Sequence, residues 1–146
     1  MPAKRLKEFL DSHNIKYIVI SHSRAFTAQE TELAKTVMVK ADGKMAMAVL
    51  PASYKVDFDL LRKATGSGRV EIANEKEFKD MFPECEIGAM PPFGNLYGVD
   101  VFVARSLTED KEIAFNAGSH RELVRMAYKD FERLVKPKVM EFSVET

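Results

Sequence analysis

The sequence predicts an α/β fold in which a mixed, barrel-like β-sheet is flanked by short helices. Three observations lead there. Short runs rich in β-branched and apolar residues recur along the chain, as at Tyr17–Ile20 and Val99–Ala104. Some of these runs are joined by hairpin signals and others are separated by helix-length amphipathic stretches, which is the pattern of a sheet with both antiparallel and crossover connections. The chain of 146 residues is 46% hydrophobic and 30% charged, enough for one domain, residues 1–146, with a substantial core and no repeat or linker.

Taken in order, Ala3–His13 sets Leu6, Phe9 and Leu10 on one face of a short amphipathic helix, and Tyr17–Ile20 follows as a strand. His22 comes next, a lone histidine whose ordinary reading is structural. Thr27-Ala-Gln-Glu30 has the spacing of a capping box, in which hydroxyl and carboxylate each satisfy a backbone N–H, and predicts a helix through Leu33 or Ala34. Lys35–Lys40 and Met45–Leu50 form a hairpin across Ala41-Asp42-Gly43-Lys44, because Asp-Gly supplies the positive φ that a tight turn needs. Both arms are apolar on both faces, so the hairpin belongs at the centre of the sheet. Pro51 ends the second arm. Val56–Ala64 reads as a helix burying Val56, Leu60 and Leu61, and Gly66-Ser-Gly68 closes it. Val70–Ile72 is a short strand, and Asn74-Glu-Lys-Glu77 starts a helix that buries Phe78, Met81 and Phe82 before Pro83. Lys111–Asn116 is expected to pair with Val99–Ala104 across Thr108–Asp110. Leu123–Met126 reads as a strand leading into a Tyr128–Val135 helix, which makes the four-residue spacing of Arg121, Arg125, Lys129 and Arg133 an accident rather than a basic helical stripe.

Charge and composition exclude several functions. The formal net charge is zero, so no global field draws the chain to nucleic acid or membrane, although residues 111–138 carry a local balance of +3 and residues 71–86 one of −4. A polyanion must therefore be held by a local patch. The single Cys85 rules out an internal disulfide or a cysteine-rich zinc site and fits a reducing compartment; its acidic neighbours disfavour a nucleophilic thiol. No stretch approaches the roughly 20 apolar residues that span a bilayer. The expectation is a cytoplasmic protein with no membrane partner. Phosphate-binding glycine motifs, a His-x-x-x-His pair and cysteine clusters are all missing, so neither metal nor cofactor is expected. Gly118-Ser119-His120 does not make a Ser/His pair, since adjacent residues seldom point the right way for mutual proton transfer.

Three features remain, concentrated in or facing the stretch from Glu86 to His120. Gly88-Ala89-Met90-Pro91-Pro92-Phe93-Gly94 is a stiff loop that brings bare backbone close to whatever it faces, which suits the wall of a binding site as well as an ordinary surface loop. Asn116-Ala117-Gly118-Ser119-His120 is a turn after an apolar strand, and Lys35 stands at a strand start.

Together with Ala34-Lys35-Thr36-Val37, Val49-Leu50-Pro51-Ala52, the Gly88-x-x-x-Pro92 spacing and the terminal Asp130-Phe131-Glu-Arg-Leu134, these features resemble the YbaK/prolyl-tRNA synthetase-associated domain, over nearly the whole chain. That family comprises aminoacyl-tRNA deacylases, free-standing or inserted in some bacterial prolyl-tRNA synthetases, and the match is to free-standing members. The resemblance implies hydrolysis of the ester joining a wrong amino acid to tRNA, with a small residue such as Ala, Cys or Ser removed. It implies Lys35 as the catalytic cation. Gly88, Ala89, Met90, Pro91, Pro92, Gly94, Asn116, Gly118 and His120 are the implied contacts to the aminoacyl-adenosine end. The implied partner is the 3′ acceptor end of aminoacyl-tRNA, and an aminoacyl-tRNA synthetase stays open as a second. Pro91 stands where some relatives have Ser, which removes a hydroxyl and an N–H. A non-catalytic domain binding a nucleotide, an amino acid or nucleic acid, and a hydrolase of small aminoacyl esters, are the alternatives.

Overall fold

The computed structural model describes residues 4–21 and 33–145. Its centre is the predicted hairpin, β2 (Leu33–Ala41) and β3 (Lys44–Pro51), paired antiparallel from Ala34↔Pro51 to Ala41↔Lys44. Asp42 and Gly43 both take positive φ, 50° and 82°, the conformation a two-residue turn requires. The Asp42 carboxylate also accepts the Gly68 and Arg69 N–H groups, so the turn is stitched to the segment before β5 (Val70–Ile72).

Around this hairpin the main sheet has the order β1-β8-β7-β2-β3-β6-β9, with β5 also paired to β2. The outer strands are β1 (Tyr17–Ser21), β6 (Asp100–Ala104), β7 (Glu112–Ser119), β8 (Glu122–Ala127) and β9 (Lys138–Met140). Parallel pairs (β2/β7, β3/β6, β6/β9) are combined with antiparallel ones, giving the mixed, curled sheet that the sequence predicts. A separate ribbon joins β4 (Tyr54–Val56) to β10 (Ser143–Glu145).

The two sheet faces bury different cores. On one, α1 (Lys4–Ser12), α3 (Glu75–Phe78) and α4 (Tyr128–Val135) contribute Leu6, Leu10, Phe78 and Phe131 to a cluster with Met47, Val49, Phe115 and Val124. On the other, α2 (Phe58–Thr65) lays Leu61 against Val39, Ala48, Leu50, Phe102 and Phe142. Asp57 caps α2 by accepting the Leu60 N–H, and Gly66 ends it with φ of 72°. The Asn74–Glu77 capping box is present with both reciprocal hydrogen bonds, at 3.1 and 2.9 Å. Lys40 bonds Glu77 and lies 3.7 Å from Glu71, drawing part of the acidic segment onto the sheet.

Several expectations are corrected. Leu33 and Ala34 are strand, not the end of a helix, because β2 extends to pair with Pro51 and with Ala114 and Phe115 of β7; the capping box at Thr27–Glu30 and His22 lie outside the described residues. Val56 is in β4 and Leu60 is exposed, so α2 buries one narrow stripe headed by Leu61. The Lys111–Asn116 segment does not pair with Val99–Ala104. Residues Arg105–Glu109 form a 3₁₀ turn that carries the chain away, after which β7 pairs with β8 and β2, while β6 pairs with β3 and β9. The regularly spaced basic residues fall on a turn, a strand and a helix, so they form no helical stripe.

Candidate functional site

The candidate site is built where β7 loses its regular pairing. Asn116 faces Leu123 and Ser119 faces Glu122, so two extra residues, Ala117 and Gly118, bulge out between them. Gly118 takes φ of 87°, which releases its main-chain groups from the β8 ladder. They bond the predicted loop instead: the Gly118 N–H donates to Ala89 O at 2.7 Å, and the Glu86 N–H donates to Gly118 O at 2.8 Å. Within the loop, the Ala89 N–H closes a turn onto Glu86 O at 3.0 Å, and Gly88 occupies its third position with φ of 85°. That is a type II arrangement, which needs a residue free to adopt positive φ.

Side chains reinforce the seam. The Glu86 carboxylate accepts the His120 N–H at 2.7 Å and the Ser119 hydroxyl, and these bonds to its ionised form hold its pKa below the usual carboxylate value. The His120 ring lies over Gly88, with Cε1 3.5 Å from where a Cβ on that residue would sit. Its Nε2 is 2.9 Å from Ile87 O. A carbonyl only accepts, so Nε2 carries the hydrogen, and in the neutral ring Nδ1 keeps its lone pair.

The rest of the loop turns inward. Ala89, Met90, Pro91, Pro92 and Gly94 are buried, and Met90 belongs to the larger core. Phe93 anchors the loop, fully buried with its ring 5.6 Å from Phe115, 5.5 Å from Phe131 and 6.2 Å from Phe9. Gly94 has a packing reason of its own, since a Cβ there would come within 2.5 Å of Val99 O. The exposed Gly88 N–H accordingly stands out: among the described residues no acceptor claims it, whereas its neighbour Ala89 is bonded inward.

Lys35 approaches from the adjoining strand. The parallel register Leu33↔Ala114, Ala34↔Phe115 sends Ala34 and Phe115 into the larger core, so the next residues, Lys35 and Asn116, fall together on the opposite face. Lys35 is half-buried beside Leu50, and its ammonium has no ion pair among the described residues. Asn116 donates from its amide to Ser119 O at 3.3 Å, across the bulge. The loop and turn are thus joined directly, and Lys35 shares a sheet face with the start of that turn. Two cavities lined by described residues, one of about 280 Å³ beside Tyr54 and Arg105 and one of about 240 Å³ beside Asp100 and Lys136, share no lining residue with this junction.

Cys85 is half-buried against Tyr97, with Sγ 4.0 Å from the phenol oxygen, and burial pushes its thiol up. It is therefore poorly suited to act as a thiolate. Sequence reasoning gives Glu86 no role beyond opening the stretch, and Ser119 none beyond the turn motif and a rejected Ser/His pair. An exposed acid in an acidic segment looks like any solvated charge, and the one available signal was its place immediately before the glycine turn.

A family model described as an aminoacyl-tRNA editing domain matches residues 19–134. The chain belongs to that family. Members of the editing family are hydrolases of aminoacyl-tRNA esters, which makes this chain an enzyme of that class. The chain is 29% identical over 127 residues to the multifunctional Ser/Thr-tRNA deacylase ProXp-y of Escherichia coli K12, covering 84% of this chain and 75% of that protein. Two solved structures share the editing-domain fold. One is the hypothetical protein APE2540, with a TM-score of 0.84 at 16% identity over 97% of this chain and 100% of the other. The other is a candidate trans-editing enzyme for prolyl tRNA synthetase, with a TM-score of 0.80 at 17% identity over 97% and 96%.

Proposed function

We propose that this chain removes a small amino acid, Ala, Cys or Ser, from mischarged tRNA, binding the aminoacyl-adenosine end between Lys35, the Gly88–Pro92 loop and the Asn116–His120 turn. The observation that carries this reading is the hydrogen-bonded seam between loop and turn, which holds the exposed Gly88, its N–H unclaimed among the described residues, beside the His120 ring. The Ser/Thr-tRNA deacylase relative supports serine within the substrate set.

The chemistry asked of the residues is modest. An aminoacyl ester is already activated, so the site needs to position water and stabilise negative charge developing on the carbonyl oxygen. The Gly88 N–H is the donor suited to that oxygen, and the Lys35 ammonium supplies the charge that a terminal phosphate or the oxyanion would meet. Glu86 is unsuited to be a general base, because its carboxylate is engaged by His120 and Ser119 and its basicity is lowered. Water is then activated by the substrate itself, through its ribose hydroxyl or acyl side chain. Selection follows from size: a synthetase pocket gains only about 1–3 kcal/mol from one missing methylene, and a tighter second pocket hydrolyses what slips through.

The test is a panel of aminoacyl-tRNAs and free aminoacyl esters incubated with the purified protein. Editing predicts loss of one or two small acyl groups from tRNA, with Lys35→Ala slower by about 10²–10³-fold. Activity on small esters alone, binding without turnover, or a Lys35→Ala rate within a few-fold of the parent would each refute it.

A further inference from the structure

The geometry points to Glu86 as the positioning residue of the acyl pocket: its carboxylate latches the His120 turn onto the Gly88 loop and so sets the gap that selects acyl groups by size. The role in selection rests on the editing function proposed above.

Glu86 enters the seam at three places. Its N–H donates to Gly118 O, its carbonyl closes the Gly88 turn, and its side chain takes the His120 N–H and the Ser119 hydroxyl. The turn is further ordered from within, since Ser119 Oγ accepts the Arg121 N–H at 3.1 Å. The main-chain bonds fix where the loop meets the bulge, but they stop at Gly118. Beyond that residue Ser119 is held by its pairing with Glu122 and by the Asn116 amide, and His120 itself is tied to the loop by the carboxylate and by the Nε2–Ile87 contact. The ring stands where a Cβ on Gly88 would just touch it, so a movement of about an ångström changes the space between ring and loop by about the width of a methylene group. One methylene is worth about 10–200-fold in discrimination. An exposed acid with no substrate contact of its own can thereby govern which ester is cleaved.

The experiment compares the full-length parent with Glu86→Gln and Glu86→Ala by two readouts. The first is the ratio of kcat/KM for the preferred acyl-tRNA over the same tRNA carrying the next larger residue. The second is amide hydrogen exchange at His120 and Gly118, beside the thermal midpoint. Glu86→Gln keeps the shape but not the charge; it should narrow the ratio at least five-fold, chiefly through kcat/KM of the larger substrate, and speed exchange at His120 at least ten-fold with the midpoint little changed. Glu86→Ala should do both more strongly. An unchanged ratio, a uniform loss across acyl groups, or unaltered exchange at His120 would overturn the assignment. A parent that cleaves no aminoacyl-tRNA would sink the editing reading and the role in selection with it, and in that case the exchange data would report only whether the latch exists.

Discussion

The two loop glycines should respond to the same substitution for different physical reasons. Gly88 has φ of 85°, and a Cβ there would meet His120 Cε1 at 3.5 Å, an ordinary contact. Gly88→Ala therefore suffers from backbone conformation and not from crowding, at about 1–2 kcal/mol. Asn tolerates the left-handed region better than Ala, so Gly88→Asn should recover part of that loss. Gly94 has no such φ, but its added Cβ would lie 2.5 Å from Val99 O and 2.6 Å from Val101 Cγ2. Neither neighbour can swing aside, one being backbone and the other part of β6, so Gly94→Ala should cost about 1–3 kcal/mol through overpacking, and Gly94→Asn more. Urea unfolding of the four variants gives the stabilities, with the midpoint moving and the slope unchanged. Deacylation by the folded fraction should drop for Gly88→Ala, because the unclaimed N–H is redirected. A Gly94→Ala protein as stable as the parent, or a Gly88→Asn protein no better than Gly88→Ala, would refute the reasoning.

Other expectations can be checked with simple assays. Glu86 is depressed below its unfolded value, so its contribution is fully present above about pH 4.5 and is lost as the pH falls through the lower folded value; protection of the His120 amide relative to its intrinsic exchange rate should fall only below that point, and a loss of protection near neutrality would contradict it. Iodoacetamide should label Cys85 more slowly than an unhindered thiol at pH 7.5, because burial disfavours the thiolate; labelling at the free-thiol rate would overturn that environment. Asn74→Ala removes one half of a capping box and should lower stability by about 0.5–2 kcal/mol in chemical denaturation, with deacylation by the folded fraction unaffected.

Local chemistry was legible wherever one residue pair decides the backbone. Asp42-Gly43 announced the central hairpin and Asn74–Glu77 announced α3, and both are built as their spacing implies. Leu123–Met126 was open to two periods, yet it forms β8 between β1 and β7, with Val124 and Met126 on the face of the larger core. Partner choice was not legible. Glu112–Ser119 looks like the natural partner of its sequence neighbour Asp100–Ala104, and nothing local reveals that it bridges β8 and the start of β2. The short strands β4, β9 and β10 escaped, whereas β5, equally short, was legible because Val70 and Ile72 flank the polar Glu71. At the site, the glycine loop and the Asn116–His120 turn were recognisable as separate motifs. What joins them is main-chain bonding across a bulge together with the Glu86 carboxylate, to which side-chain identity gives little clue beyond Gly118.

Because Gly118 and Ala89 meet through peptide groups, that joint is indifferent to most of the side chains that border it, Glu86 excepted. A scaffold jointed in this way lends itself to drift among amino-acid preferences, and to deliberate redesign of them, from one unchanged backbone.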